Sequence, residues 1–564
     1  MRKAARASKN ILSRASLRAW AAGSLLACTL LALAPSSASA GLEKSGAWSL
    51  PTQPTLAPPG VSIATSSPQP APSTGGGLAS NEPNQQPGDL FLAPIKNFSD
   101  PSAFVGKPGP EILEANGMPV WEDPLGQYIK AGGYGRQVIA MDFHADTYEH
   151  QPVLIWWQGY ITPNGFGNGD WEIANQHYQV IAQIKPPPGF ELDFHDIQLT
   201  DNGMAYIIGT RTVQISLTCC GGPANGSLYD EVVFEVNVKT GKIVWGWDPL
   251  QHVRLKESYS GIPKSGPWDP YHLNSISFGP AGAPIVSARN TWAAYWIDRA
   301  NGKVIATLGG KHSSFRLGPG ARFAWQHDVR QQADEQISIF ADEAAPPEAK
   351  QSRGLMLQLN WAKSSATVVH EYFLPHPALA GSQGNVERQP NNNLFIGWGQ
   401  LPDFSEYAAG GQLLYYGFLP GADESYRTYR APWIGLPAGS PSVLARVSAP
   451  GTTTVSASWN GATQIVSWQL LAGASAGALA PSGPRVARSG FETEIATANP
   501  GPYYAVQAID AAGKVLGTSP AVSANGKPAS SPAVYGAMII KNRRDILRAR
   551  SARRRHALQS KGRG

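Results

Sequence analysis

Three separated stretches place a histidine at the head of an alternating run: "FHDIQLTDNGMAYII" with His195, "YHLNSISFGPAGAPIVSARN" with His272 and "FAWQHDVRQQADEQISIF" with His327. Near neutral pH an imidazole is a nucleophile, a proton carrier or a metal ligand. One such histidine would read as an ordinary surface or core residue; three at matching positions point to convergence on one centre. The second stretch also carries a cation. Its hairpin turns between Pro280 and Ala281, and equal counting outward sets His272 opposite Arg289. Cross-strand neighbours on one face touch. A guanidinium among imidazoles suits an oxyanion, which it grips with two N–H groups. It opposes a histidine-bound metal, because the metal adds more positive charge. A three-histidine metal site is therefore the weaker alternative, and the expected site uses neither metal nor cofactor.

Other side chains near these runs are lesser candidates. Asn274 follows His272 on the same strand face, Asn385 heads the next run, and His144 occupies the comparable place in an earlier one. These three read as lesser substrate-binding candidates, polar lining rather than catalytic groups. Tyr271, Trp292, Trp325 and Trp398 lie beside the motifs and offer an apolar wall to an aromatic ring. Trp325 is the one assigned to substrate, and packing between sheets is the competing reading for most of them. Asp196 and Asp328 directly follow histidines, so strand alternation sends them to the other face, where they are structural.

The elements that must position these residues are short strands. From about residue 89 onward, apolar or alternating runs follow one another between turn signals such as "ANG", "DNG", "KTG", "RANG" and "PNNN". The runs recur as a unit whose heads fall near Phe143, His195, His272, His327 and Asn385, at intervals of about 50 to 77 residues. "DLFLAPI…ILEANGMPVWED" supplies three strands of a further unit, and "FSEYAAGGQLLYYGF" is the stretch expected to complete its ring. The fold class is all-β: a six-bladed β-propeller over 89–436, with a β-sandwich as the alternative. Radial closure protects sheet edges and brings the innermost strands of successive blades to one axis. That geometry is why histidines far apart in sequence can meet. Residues 437–526, with "TTTVSASWNGATQIVSWQLLAG" and "YYAVQAIDAAGKVLGTSPAV", read as a small β-sandwich of the fibronectin type III kind.

The ends differ from this body. Residues 1–40 have a basic stretch, an apolar run and "SSASAG", the pattern of a secretory signal. Leu26 fits a lipobox poorly, so lipidation at Cys28 is not expected. Residues 41–88 are a Pro/Ser-rich linker. Residues 527–564 form a basic tail, read as solvated or as a contact with an anionic cell envelope. The formal charge of +6 is misleading: the first 40 residues hold six Lys/Arg and no acid, and the last 24 hold ten Lys/Arg and one Asp, leaving 41–540 at −9. Nucleic-acid binding is therefore not expected of the body. Outside the signal the only cysteines are Cys219 and Cys220, two thiols or a strained vicinal disulfide.

Taken in order, "DFHDIQLTDNG", "PWDPYHLNSISF", "VSARNTW", "FAWQHDVR" and "GNVERQPNNNLFIGWG" resemble the bacterial arylsulfotransferases, exported propeller enzymes that use no nucleotide sulfate. The resemblance covers residues 88–437. It implies transfer of a sulfuryl group from an aryl sulfate donor to a phenolic acceptor through a sulfohistidine. It implies His327 as nucleophile, with His195, His272 and Arg289 binding the sulfuryl group and handling protons. Which of His195 and His272 is the acid/base stays open. The chain departs from the better-known members in carrying a linker where they have an N-terminal β domain, and in its C-terminal module. A non-catalytic surface propeller binding sulfated or aromatic ligands is the competing class, but binding alone has no need of a nucleophile.

Overall fold

In a computed structural model of the chain, residues 84–97, 108–125, 128–131, 134–419, 423–499 and 501–524 are described. The expected signal, the basic tail and all of the linker before Asn84 lie outside them. The described chain is all-β, with only single turns of 3-10 helix, and no helix among the described residues is long and apolar enough to cross a membrane.

Six antiparallel sheets make up the larger part. The first runs from Ile139–Tyr148 through Gln151–Ile161 and Gly167–Asn175 to Val180–Ile184. The second, third and fifth repeat this order from Glu191–Leu199, Leu273–Phe278 and Asn385–Arg388. The fourth begins at His327–Gln331 and adds Arg316–Leu317 as a parallel fifth strand. The sixth joins the ends: Tyr429–Ala431 pairs with Asp89–Leu92, which leads to Glu111–Leu113 and Pro119–Glu122. The half-unit near the start therefore supplies three strands as expected, but the stretch that completes it is different. "FSEYAAGGQLLYYGF" instead forms the two outer strands of the fifth sheet, Asp403–Tyr407 and Leu413–Phe418. The linker boundary also moves, since Gln86 N donates to Glu406 Oε1 at 2.7 Å and ties the residues just before Asp89 to the fifth sheet.

Tight turns and apolar faces explain the arrangement. Glu149 and His150, both at positive φ (49° and 62°), make the two-residue turn whose twist matches antiparallel strands. Apolar side chains from adjoining sheets interleave between them. Trp157, Trp171, Phe194 and Ile207 fill the space between the first two sheets, and Trp296, Phe323, Val329 and Leu357 that between the third and fourth. The starting strand of each sheet touches that of the next, from the first sheet to the fifth.

The C-terminal part is two further antiparallel sheets. Ser442–Ala449, Thr452–Ser458 and Glu492–Thr497 form one; Ser467–Gly473, Tyr503–Ile509 and Val515–Thr518 are the main strands of the other. They enclose Val455, Trp468, Ile495, Tyr504 and Val506. The module meets the sixth sheet at Gly461, whose N–H donates to Val120 O at 2.8 Å and whose carbonyl accepts from Tyr178 Oη at 2.7 Å. A Cβ at Gly461 would stand 2.3 Å from the Tyr178 ring, so glycine is required there.

Candidate active site

The strands that carry His195 and His327, and the strand that follows His272, each break register near the candidate: between Leu192 and Ile197, between His327 and Arg330, and between Leu273 and Ser275. A bulge re-aims side chains and leaves backbone N–H groups to be satisfied elsewhere. Buried carboxylates of the preceding sheet accept them. Glu231 takes the N–H groups of His272 and Leu273, both at 2.7 Å; Asp196 takes that of Ile276 at 2.6 Å; Asp328 takes that of Val386 at 2.9 Å. Asp196 and Asp328 are thus structural and orient no imidazole, as alternation requires. His272 itself sits at φ +54°, a conformation that a non-glycine residue holds only when its surroundings dictate it.

The three histidines meet. Ring centroids are 4.7 Å apart for His195 and His272 and 6.4 Å apart for His195 and His327. Each Nδ1 faces a carboxylate: His195 to Asp193 (2.5 Å), His272 to Asp269 (2.6 Å) and His327 to Asp342 (2.9 Å). An Nδ1–H that donates to a carboxylate leaves Nε2 as the lone-pair nitrogen. Among the described residues, the hydrogen-bond partner of His327 Nε2 is the Gln383 N–H, at a long 3.3 Å. His327 and His195 are almost sealed (1% and 3% exposed), whereas His272 is the most open at 14%.

Arg289 completes the group. Its N–H donates to the His272 carbonyl at 3.0 Å, which is the cross-strand pairing that equal counting gave. The guanidinium lies over Trp325, 4.9 Å from the ring centroid, and donates to Gly381 O at 3.0 Å. Its Nε is buried and makes no hydrogen bond among the described residues. Burial lowers the Arg289 pKa, against the pull of Asp342 and Asp269. Burial likewise holds the His327 pKa well below the ordinary imidazole range, helped by Arg289, His195 and His272; His195 is lowered for the same first reason, with Asp193 opposing. Asp342 is pushed up by burial and pulled back by Arg289. His327 is therefore a neutral imidazole beside a fixed cation.

The weaker candidates do not join this centre. His144 comes after a bulge between Met141 and His144, so counting by alternation misplaces it. Its Nδ1 meets the Asp142 carbonyl at 2.8 Å and its ring lies by Tyr429. Asn385 spends both ends of its amide on Thr428 (2.9 and 3.0 Å), and Asn274 Nδ2 donates to Gln326 O at 2.7 Å, so each locks backbone. Trp325 supports Arg289 and donates to Pro346 O at 3.0 Å. Trp292 stacks on Tyr259, while Tyr271 and Trp398 are core. Several aromatic side chains touch the imidazoles: Phe166 lies 5.1 Å from His272 and 6.4 Å from His195, Phe194 stacks on His195 at 4.2 Å, and Tyr426 stands 5.7 Å from His195. Cys219 and Cys220 are free thiols, their sulfurs 2.9 Å apart. Among the described residues no group of three or more His, Cys, Asp or Glu is arranged to hold a metal ion.

Comparison with known proteins bears on this geometry. No curated protein matches the chain. Solved structures with overall similarity include a protein of unknown function from Bacteroides caccae, at 12% identity over 61% of this chain and 99% of that one, TM-score 0.35. A functionally unknown protein from Desulfotomaculum acetoxidans matches at 10% identity over 61% and 99%, TM-score 0.32. A catalytically inactive virginiamycin B lyase from Staphylococcus aureus matches at 11% over 68% and 94%, TM-score 0.28. Scores this low carry no argument about function. The model of the family described as arylsulfotransferase (ASST) matches residues 144–416, a span that contains all three histidines and Arg289. Over residues 144–416 the chain thus matches the arylsulfotransferase family.

Proposed function

We propose that the protein transfers a sulfuryl group from an aryl sulfate to a phenol, with His327 as the covalent carrier. The observation that carries this reading is one constellation. Three imidazoles, each with Nδ1 on a carboxylate, share a centre with Arg289, whose charge acts on His327 and whose buried Nε–H has no partner among the described residues. A buried N–H without a partner is costly, and a sulfuryl oxygen is what it lacks. In this reading His327 Nε2 attacks sulfur, the N–S bond forms and the aryl S–O bond breaks. His272, the most open of the three, enters this step with a proton on Nε2 as well as the Nδ1 proton held by Asp269, and gives the Nε2 proton to the departing phenolate. The acceptor phenol then returns a proton to His272 as its oxygen attacks sulfur and the S–N bond breaks. Arg289 balances charge on the peripheral oxygens, which in a loose transfer is where most of the catalysis lies. Asp342 stabilises the charge that the imidazole gains, while His195 completes the polar wall.

The six sheets are read as the blades of a propeller closed by Tyr429–Ala431, and the C-terminal pair as a fibronectin type III-like module. Export under the N-terminal signal fits an enzyme that needs no nucleotide, and the basic tail would serve envelope contact. Turnover of a chromogenic aryl sulfate with added phenol tests the function. Parallel double-reciprocal lines without nucleotide are expected; a requirement for a nucleotide sulfate, or for both substrates bound together, overturns the reading.

A further inference from the structure

The segment Asp423–Arg430 lies beyond the matched family region and runs through the body: Asp423, Glu424, Tyr426, Arg427 and Thr428 are all buried. The Arg427 side chain is fully sealed, at 0% exposure. Its guanidinium reaches four sheets. Nη1 donates to Asp142 of the first sheet at 3.1 Å and to Asp196 of the second at 2.9 Å. Nη2 donates to the Asn274 carbonyl of the third at 2.9 Å, and Nε lies 3.7 Å from Asp328 of the fourth. The residues that directly follow His195 and His327, and the one two places after His272, therefore meet on a single cation. Neighbours on the strap reach the imidazoles by other routes. Tyr426 Oη donates to the His195 carbonyl at 3.0 Å, and its ring stands edge-on to His195. Glu424 accepts from the Gln383 amide at 3.1 Å, and it is the Gln383 N–H that meets His327 Nε2.

We propose that Arg427, on the strap that closes the ring, is the positioning residue that holds His195, His272 and His327 in register around one centre. It touches no substrate and acts through Asp196, Asp328 and the Asn274 carbonyl. A planar fork with five donors can serve several strands at once; an ammonium cannot. The catalytic consequence rests on the sulfohistidine reading, but the positioning itself does not. Arg427 also bears on protonation. Its charge is among the causes, after burial, that lower the pKa of His327 and of His195. Asp142, Asp196, Asp328 and Arg330 face it on one side; Asp193, Asp342, Arg289 and His272 face the imidazoles on the other. Removing the cation leaves three carboxylates with only Arg330 against two of them, so both imidazoles should titrate higher.

The test uses the full chain with Arg427→Lys and Arg427→Met, read two ways. Nitrogen NMR of labelled histidine follows tautomer and titration of His195 and His327, and mass spectrometry follows single-turnover formation of a sulfuryl adduct from 4-nitrophenyl sulfate. Arg427→Lys should slow adduct formation by roughly 100-fold, the effect of misplacing reacting groups by about an ångström, with donor KM little changed. Arg427→Met should in addition move both titrations upward, by about one pH unit. Wild-type adduct rate and wild-type titrations in Arg427→Lys, with only a lower melting temperature, overturn the proposal. Should Arg427→Met fail to fold, Asp142→Asn stands in for it: it removes a partner from a strand that bears none of the three histidines. A slower adduct with retained fold supports the proposal, and an unchanged rate overturns it. If even the wild type forms no adduct, the sulfohistidine reading fails while the NMR arm still decides. Altered tautomers or titrations then uphold the positioning role, and unaltered ones sink it.

Discussion

The interior of the six-sheet body and the core of the C-terminal module are built on opposite terms. Around the starting strands of the body's sheets, ionisable groups are buried: Asp142, Asp193, Asp196, Glu231, His195, His327, Asp328, Asp342 and Arg427 are each at most 3% exposed. The module's core is Trp468, Tyr504 and aliphatic side chains, and residues 437–524 contain no histidine. Buried charge is poor evidence for stability, because desolvation offsets most of the attraction. A region that retains so much of it is organised around something other than stability. The contrast assigns chemistry to the body and leaves the module a packing unit joined to it at Gly461, Asn460 and Arg488.

Four perturbations sharpen or break that contrast. The largest effect on turnover is expected from His327→Asn, which should lose on the order of 1,000-fold or more, because Asn offers no nucleophilic nitrogen. Steady-state rates with retained circular dichroism check it, and near-wild-type turnover would move the nucleophile to another histidine. Arg289→Lys comes next. It keeps the charge but not the fork, and should slow the first half-reaction by about 100-fold; stopped-flow release of nitrophenolate reads this directly.

The third perturbation is pH. Because burial depresses the His327 and His195 pKa values, both stay neutral in the native state below the ordinary imidazole range. Acidification through pH 6.5 should therefore not slow the donor half-reaction by protonating the nucleophile; that loss should come only well below it. Stability follows the same sign. Unfolded histidines take up protons below about pH 6.5 and the buried native ones do not, so acidification through that range favours unfolding. Calorimetry should show the body's transition dropping between pH 7 and 5 while that of the histidine-free module holds, and equal drops would remove the distinction. The smallest effect on turnover belongs to the module. Trp468→Ala should cost the module about 3–5 kcal/mol yet change aryl sulfate turnover by less than about 3-fold. Deleting 437–564 should likewise leave turnover of small aryl sulfates largely intact, and a folded but inactive truncated protein would place the module in the site.

Much of this was legible in the sequence, and the failures have physical causes. The three histidines and Arg289 could be found because each repeats a local pattern, a strand head or a symmetric hairpin, that needs no long-range information. Asp193 was within reach of the same logic, since a residue two places before His195 shares its strand face. Asp342 was not: it comes from beyond the neighbouring strand, past the Phe340 that pairs with His327. His144 was misplaced because one bulge inverts alternation for everything after it. Arg427 gives no sequence signal at all, since the carboxylates it holds lie 99 to 285 residues away and are brought to it only by tertiary pairing. The strand that completes the sixth sheet was missed for a related reason: "FSEYAAGGQLLYYGF" has the alternation of any strand pair, and only tertiary pairing shows that Tyr429–Ala431 joins Asp89–Leu92.

The most direct test of His327 as carrier is intact-protein mass spectrometry after mixing with an aryl sulfate and no acceptor, followed by peptide mapping. The expected result is one sulfuryl adduct on the peptide containing "FAWQHDVR", discharged by added phenol and absent from His327→Asn. An adduct that persists in His327→Asn, or turnover with no adduct on any histidine, would contradict it.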